Sequence, residues 1–107
     1  NALSGDEAEA VWARDFGQVL TTAKRVLRVG RFAFFMIGDS AVSGKVLRSD
    51  EMTTRLAKAA GLDVVALASQ RRPQFHFESQ RTFGGRPRFE HLIALRRLDT
   101  KAAKFAT

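Results

Sequence analysis

Three groups of residues have the types and spacing to do chemistry. Glu90-His91 sets a carboxylate beside an imidazole, the pairing used to move protons near neutral pH. On a strand, however, neighbouring side chains point to opposite faces, so the two cannot act directly on one substrate. Asp39-Ser40 follows the apolar run Phe32–Ile37, at the strand end where open α/β sheets place ligands. The pair is therefore read as an edge of a pocket, or else as a turn closed by the aspartate side chain. The third group is larger: residues 71–97 hold seven arginines against Glu78 and Glu90, and account for most of the net charge of +7. Arg71, Arg72, Arg81, Arg86 and Arg88 have the chemistry to hold phosphates, and Phe75, Phe77 or Phe83 to stack on an unpaired base. A nucleic-acid partner, DNA or RNA, is expected from this segment; a solvated basic hairpin is the plainer reading. The histidines are His76 and His91, and there is no cysteine. No metal-ligand spacing and no nucleophile–base motif is visible, so no catalytic or metal residue is assigned.

The elements that must position these groups are legible from caps and periodicity. Ser4 and Glu7 have capping-box spacing, and Trp12, Phe16, Leu20 and Leu27 follow helical steps, predicting a helix over 6–28 that ends before Gly30. Its apolar stripe is core. Phe32–Ile37, unbroken by polar residues, predicts a strand covered on both faces. A loop through Gly44 follows, then a short extended piece over 45–48. Ser49 reads as the N-cap of a second helix at 50–60, closed by Gly61. Leu62–Ala68 is a strand, which the crossover helix should leave parallel to the first. Residues 71–88 read as a basic hairpin in which Phe75-His76-Phe77 alternate as a half-exposed strand does. Phe89–Leu95 is the last strand, antiparallel, and the tail from residue 98 is expected to be weakly ordered. The fold class is α/β: two parallel strands, an antiparallel C-terminal strand and two main helices, one domain over 3–97. So small a sheet, with apolar faces and a free edge, is expected to pack against something else. The longest apolar run is far too short to cross a bilayer, and with no cysteine a cytoplasmic location is expected.

Several segments carry a family resemblance. Val26-Leu27-Arg28-Val29-Gly30 followed by Ile37-Gly38-Asp39-Ser40, and later Arg88-Phe89-Glu90-His91-Leu92-Ile93-Ala94-Leu95-Arg96, resemble stretches of DNA-methylase-like S-adenosylmethionine-dependent methyltransferases. These enzymes methylate amino groups of bases in nucleic acid. The resemblance spans about Trp12 to Arg97, although Arg31 stands where the family has a second glycine. It implies the last three strands of a Rossmann-like sheet, with the final strand inserted antiparallel between the other two. It also implies that the cofactor loop, a Gly-x-Gly, and the Pro-Pro-aromatic catalytic motif are missing, since Pro73 and Pro87 stand apart. The resemblance thus points to the C-terminal, substrate-side part of such an enzyme. It would not be catalytic alone or bind S-adenosylmethionine alone, and would be completed by an N-terminal half or a second copy. The alternative is a free-standing nucleic-acid-binding or self-associating module. Glu90 is expected to be structural, paired with Arg71, Arg72 or Arg88.

Overall fold

In the computed structural model of the chain, which describes residues 3–73 and 77–98, the first helix begins where the caps demand. Glu7 N–H donates to Ser4 Oγ at 3.1 Å and Ser4 N–H donates to Glu7 Oε1 at 3.0 Å, closing a capping box on α1 (Gly5–Val26). Replacing Ser4 by Ala removes the bond to its Oγ, and should lower stability by about 1 kcal/mol in urea melts. Phe16 carries the apolar stripe onto the first strand, β1 (Phe32–Gly38), its ring meeting Phe35 edge-on at 5.6 Å. Leu20, fully buried, anchors the centre of that contact.

A small hairpin follows, β2 (Ser40–Val42) and β3 (Lys45–Leu47). Its two-residue turn has φ 50° at Ser43 and 75° at Gly44, both in the left-handed region a tight hairpin of this twist requires. Then come α2 (Ser49–Ala60) and β4 (Leu62–Arg72), with Gly61 between them at φ 83°. A short helix α3 (Phe77–Phe83) precedes the last strand, β5 (Arg88–Arg97). Of the half-exposed strand expected at 75–77, Phe75 and His76 lie outside the described residues, and Phe77 begins α3. The expected tail beyond Leu98 also lies outside them.

The main sheet has the order β1-β5-β4, and β5 is antiparallel to both neighbours. This corrects the expectation of two parallel strands in a Rossmann-like sheet: the chain forms a small antiparallel sheet with three helices among the described residues. β1 and β4 run the same way but never pair, because β5 occupies the place between them. The physical reason lies in β5 itself. Ile93 and Leu95 are fully buried and Ala94 nearly so, the burial of a central strand rather than an edge.

The covering of β1 on both faces is likewise corrected. Ala33, Phe35 and Ile37 face the helices, with Phe35 packed on the core, whereas Phe32, Phe34 and Met36 are 50%, 67% and 73% exposed. Leu92, opposite Met36 in the register, continues this uncovered apolar face. No helix among the described residues is long and apolar enough to cross a membrane.

Candidate functional site: an arginine cleft built on a buried aspartate

One buried carboxylate ties together the strands and the helix around the arginine-rich β4–α3–β5 junction. Asp39, 1% exposed, follows β1 directly. Its Oδ1 accepts from the Ser49 N–H at 3.1 Å and from His91 Nε2 at 2.9 Å, and lies 3.4 Å from Ser49 Oγ. Oδ2 accepts from Arg48 Nη1 at 2.7 Å and from the Phe89 N–H at 3.1 Å. The Ser49 bond also explains how α2 starts: Arg48, at the cap position, offers no side-chain bond, so a residue ten positions upstream does the capping instead. Asp39 thus staples the end of β1, the start of α2 and the start of β5.

Burial pushes the Asp39 carboxyl up. Hydrogen bonds from His91, Arg48, Phe89 and Ser49 together outweigh that and hold it below the ordinary aspartate range. Because the folded value is depressed, its stabilisation is complete above the unfolded aspartate range and is lost as pH falls through the folded value. Urea stability should therefore stay level from neutrality down to the ordinary aspartate range and drop below it, and Asp39→Asn should remove that part of the drop.

Arg88 and Arg48 pass from this hub to the cleft. Arg88 Nε donates to the Asp39 carbonyl at 3.0 Å, crossing Gly38, where a Cβ would stand 2.7 Å from Arg88 Nη2. Arg48 Nη1 also donates to the Pro87 carbonyl at 2.7 Å, and its guanidinium lies 5.4 Å from the centre of the Phe83 ring. Arg86 folds back on α3, its Nε donating to Phe83 O and its Nη2 to Thr82 O, both at 2.8 Å. Those are carbonyls left open by the helix end. Arg72 Nε pairs with Glu90 Oε2 at 2.7 Å, which settles the partner of Glu90. That bond holds the Glu90 carboxyl below its usual range; burial opposes it, and the nearby charges of Arg72 and Arg88 add to the lowering.

The outcome is a cleft of about 230 Å³ lined by Arg71, Arg72, Arg86 and Arg88 together with Phe83 and Pro87. Four of the arginines singled out in the sequence meet there. The Arg71 side chain forms no hydrogen bond or ion pair with any other described residue. Arg81, exposed on α3, is not among the residues lining the cleft. Phe75 lies outside the described residues, and Phe83 cannot stack on a base because it is 1% exposed beneath Arg48. Asp39, read from the sequence as a pocket edge, has its carboxylate buried and turned to the protein's own donors, while Ser40 is half-buried on β2 opposite Leu47.

Sequence reasoning missed the role of Arg48 and the meeting of Asp39, Asp50 and His91, whose ligand atoms lie within 4.8 Å of one another. No local spacing could have shown it, since the three come from different elements. A cation there would have to displace His91 from Asp39 beside the Arg48 guanidinium, and the donor set is better read as a hydrogen-bonded hub. The residues present do not fit S-adenosylmethionine either. The connection from β1 to α2 is a hairpin and not a glycine-rich loop, and the first N–H of α2 is taken by Asp39. Compared with known proteins, the chain matches no family model, no curated protein and no solved structure.

Proposed function

We propose that the chain binds the sugar-phosphate backbone of nucleic acid in its arginine cleft, as the substrate-side unit of a methyltransferase-like protein. Cofactor binding and methyl transfer would be supplied by another unit. The convergence of Arg71, Arg72, Arg86 and Arg88 on one cleft carries this reading. A guanidinium has five donors in a fixed fork. Arg72, Arg86 and Arg88, held by one or two bonds each, keep others for phosphate oxygens, and holding the stem lowers the entropy lost on binding. The motifs at Ile37–Ser40 and Arg88–Arg96, and a last strand lying antiparallel between the other two, support the methyltransferase-like part. An enzyme that modifies a base must take it out of the stack, and a backbone grip beside the pocket serves that end.

Fluorescence anisotropy with a labelled single-stranded DNA 20-mer tests the binding. The double variant Arg71→Ala/Arg72→Ala should weaken it at least tenfold at about 50 mM salt, and unchanged affinity would contradict the reading. Calorimetric titration of the chain with S-adenosylmethionine should give no binding heat. A clear isotherm would show that the cofactor part of the proposal is wrong.

One observation favours the second reading, a self-associating module. β1 is an edge strand whose free side carries no charge, proline or bulge over Phe32–Gly38, the devices that ordinarily keep edges apart. Light scattering tests this second reading: a stable dimer supports self-association, and a clean monomer counts against it.

A further inference from the structure

The bond network around Asp39 continues, through His91, to the hydroxyl of an exposed residue. His91 is 2% exposed, and its Nε2 lies 2.9 Å from Asp39 Oδ1 and 3.7 Å from Asp50 Oδ1. Its Nδ1 lies 2.7 Å from Oγ of Ser69, an exposed residue of β4 paired directly with His91 across the ladder. The partners fix the tautomer. Ionised carboxylates only accept, so Nε2 carries the proton, and in the neutral ring Nδ1 is left as the acceptor for the Ser69 hydroxyl. Turning the ring over would lose both bonds.

We infer that Ser69 is an activated nucleophile, with His91 as its general base and Asp39 as the residue that positions and charge-balances the imidazole. The order hydroxyl, imidazole, carboxylate is that of nucleophilic acyl transfer, here with the ring nitrogens used in the opposite sense to the familiar triad. The substrate class is a carboxylic ester bearing an acid group. Arg71 is two residues further along β4, on the same face and about 7 Å away along the strand, and makes no ion pair with any described residue. It can therefore hold that acid group.

In the step, Ser69 Oγ attacks the ester carbonyl carbon while its proton passes to His91 Nδ1. The Oγ–C bond forms, the bond to the alcohol oxygen breaks, and the departing alkoxide takes the proton from His91. Water then attacks the acyl-serine with His91 again as base, releasing the carboxylic acid and restoring Ser69.

The test uses the whole chain with two probes, 4-nitrophenyl acetate and mono-4-nitrophenyl glutarate, with acylated peptides mapped by mass spectrometry. Ser69 should be acylated at least about 100-fold faster than the exposed Ser43 in the same molecule, the low end of what a positioned base supplies. Ser69→Ala should lose the adduct with its circular dichroism unchanged. Arg71→Ala should slow the glutarate ester more than the acetate ester, so that the ratio of the two rates falls; an unchanged ratio would overturn the assignment of Arg71. His91→Gln should slow both; if that variant does not fold, the Ser43 reference and Ser69→Ala still decide. Acylation of Ser69 no faster than of Ser43, or none at either, overturns the inference.

Discussion

Asp39→Ala should cost at least about 3 kcal/mol of unfolding free energy, the largest single-residue effect expected outside the apolar core. Truncation leaves the His91 Nε2–H and the N–H groups of Ser49 and Phe89 without their acceptor, and the Arg48 guanidinium without its counter-charge and with only the Pro87 carbonyl to bond. Breaking a buried, hydrogen-bonded ion pair from one side typically costs 3–5 kcal/mol. Each buried donor left unmade adds roughly 1–3 kcal/mol before relaxation. A domain of this size has only about 5–15 kcal/mol in total, so the variant should sit at the margin of folding. Urea titration followed by circular dichroism measures it. A loss below about 1 kcal/mol would mean that the donors find water or other acceptors, and that Asp39 is not the staple described here.

Phe83→Ala should cost about 3–5 kcal/mol, the range for removing a buried aromatic ring. Phe83 is 1% exposed, the largest of the fully buried side chains, and it is the last residue of α3. A helix of seven residues has no stability of its own, so this ring decides whether α3 stays docked. Because Phe83 also lines the cleft, and its carbonyl holds Arg86, the variant should lose nucleic-acid affinity along with stability. Phe83→Leu, which keeps much of the volume, should recover most of both. Equal losses in the Ala and Leu variants would mean that the Arg48–ring contact, and not burial, holds the helix.

What the sequence made legible was local. Ser4 and Glu7 mark the start of α1, Gly61 needs its left-handed φ, and the apolar β5 segment reads as a strand without reference to anything distant. α3 was not legible, because Phe75-His76-Phe77 alternates and a helix of two turns carries little periodicity. What makes it a helix is the burial of Phe83, a tertiary effect. Strand order was hidden in the same way. A crossover between β1 and β4 sets their common direction, but only the burial of Ile93 and Leu95 decides that β5 lies between them.

The site divides along the same line. Arginine density between residues 71 and 88 pointed to the cleft, since charge needs no fold to be counted. The hub was hidden, because its donors and acceptor come from residues 39, 48, 49, 89 and 91 and meet only when β5 enters the sheet. Asp39 was noticed for its place at a strand end, where a ligand is the usual tenant, and its carboxylate proves to be turned inward.

The cleft as a phosphate grip is tested most directly by the salt dependence of single-stranded DNA binding. For single strands, each phosphate neutralised contributes about −0.7 to the slope of log K against log salt. Anisotropy titrations between about 50 and 200 mM salt should give a steep negative slope for the unaltered chain. Arg71→Ala should make it shallower by about 0.7, and Arg71→Ala/Arg72→Ala by about twice that. A slope that the two substitutions leave unchanged, or no binding even at the lowest salt, would contradict the account.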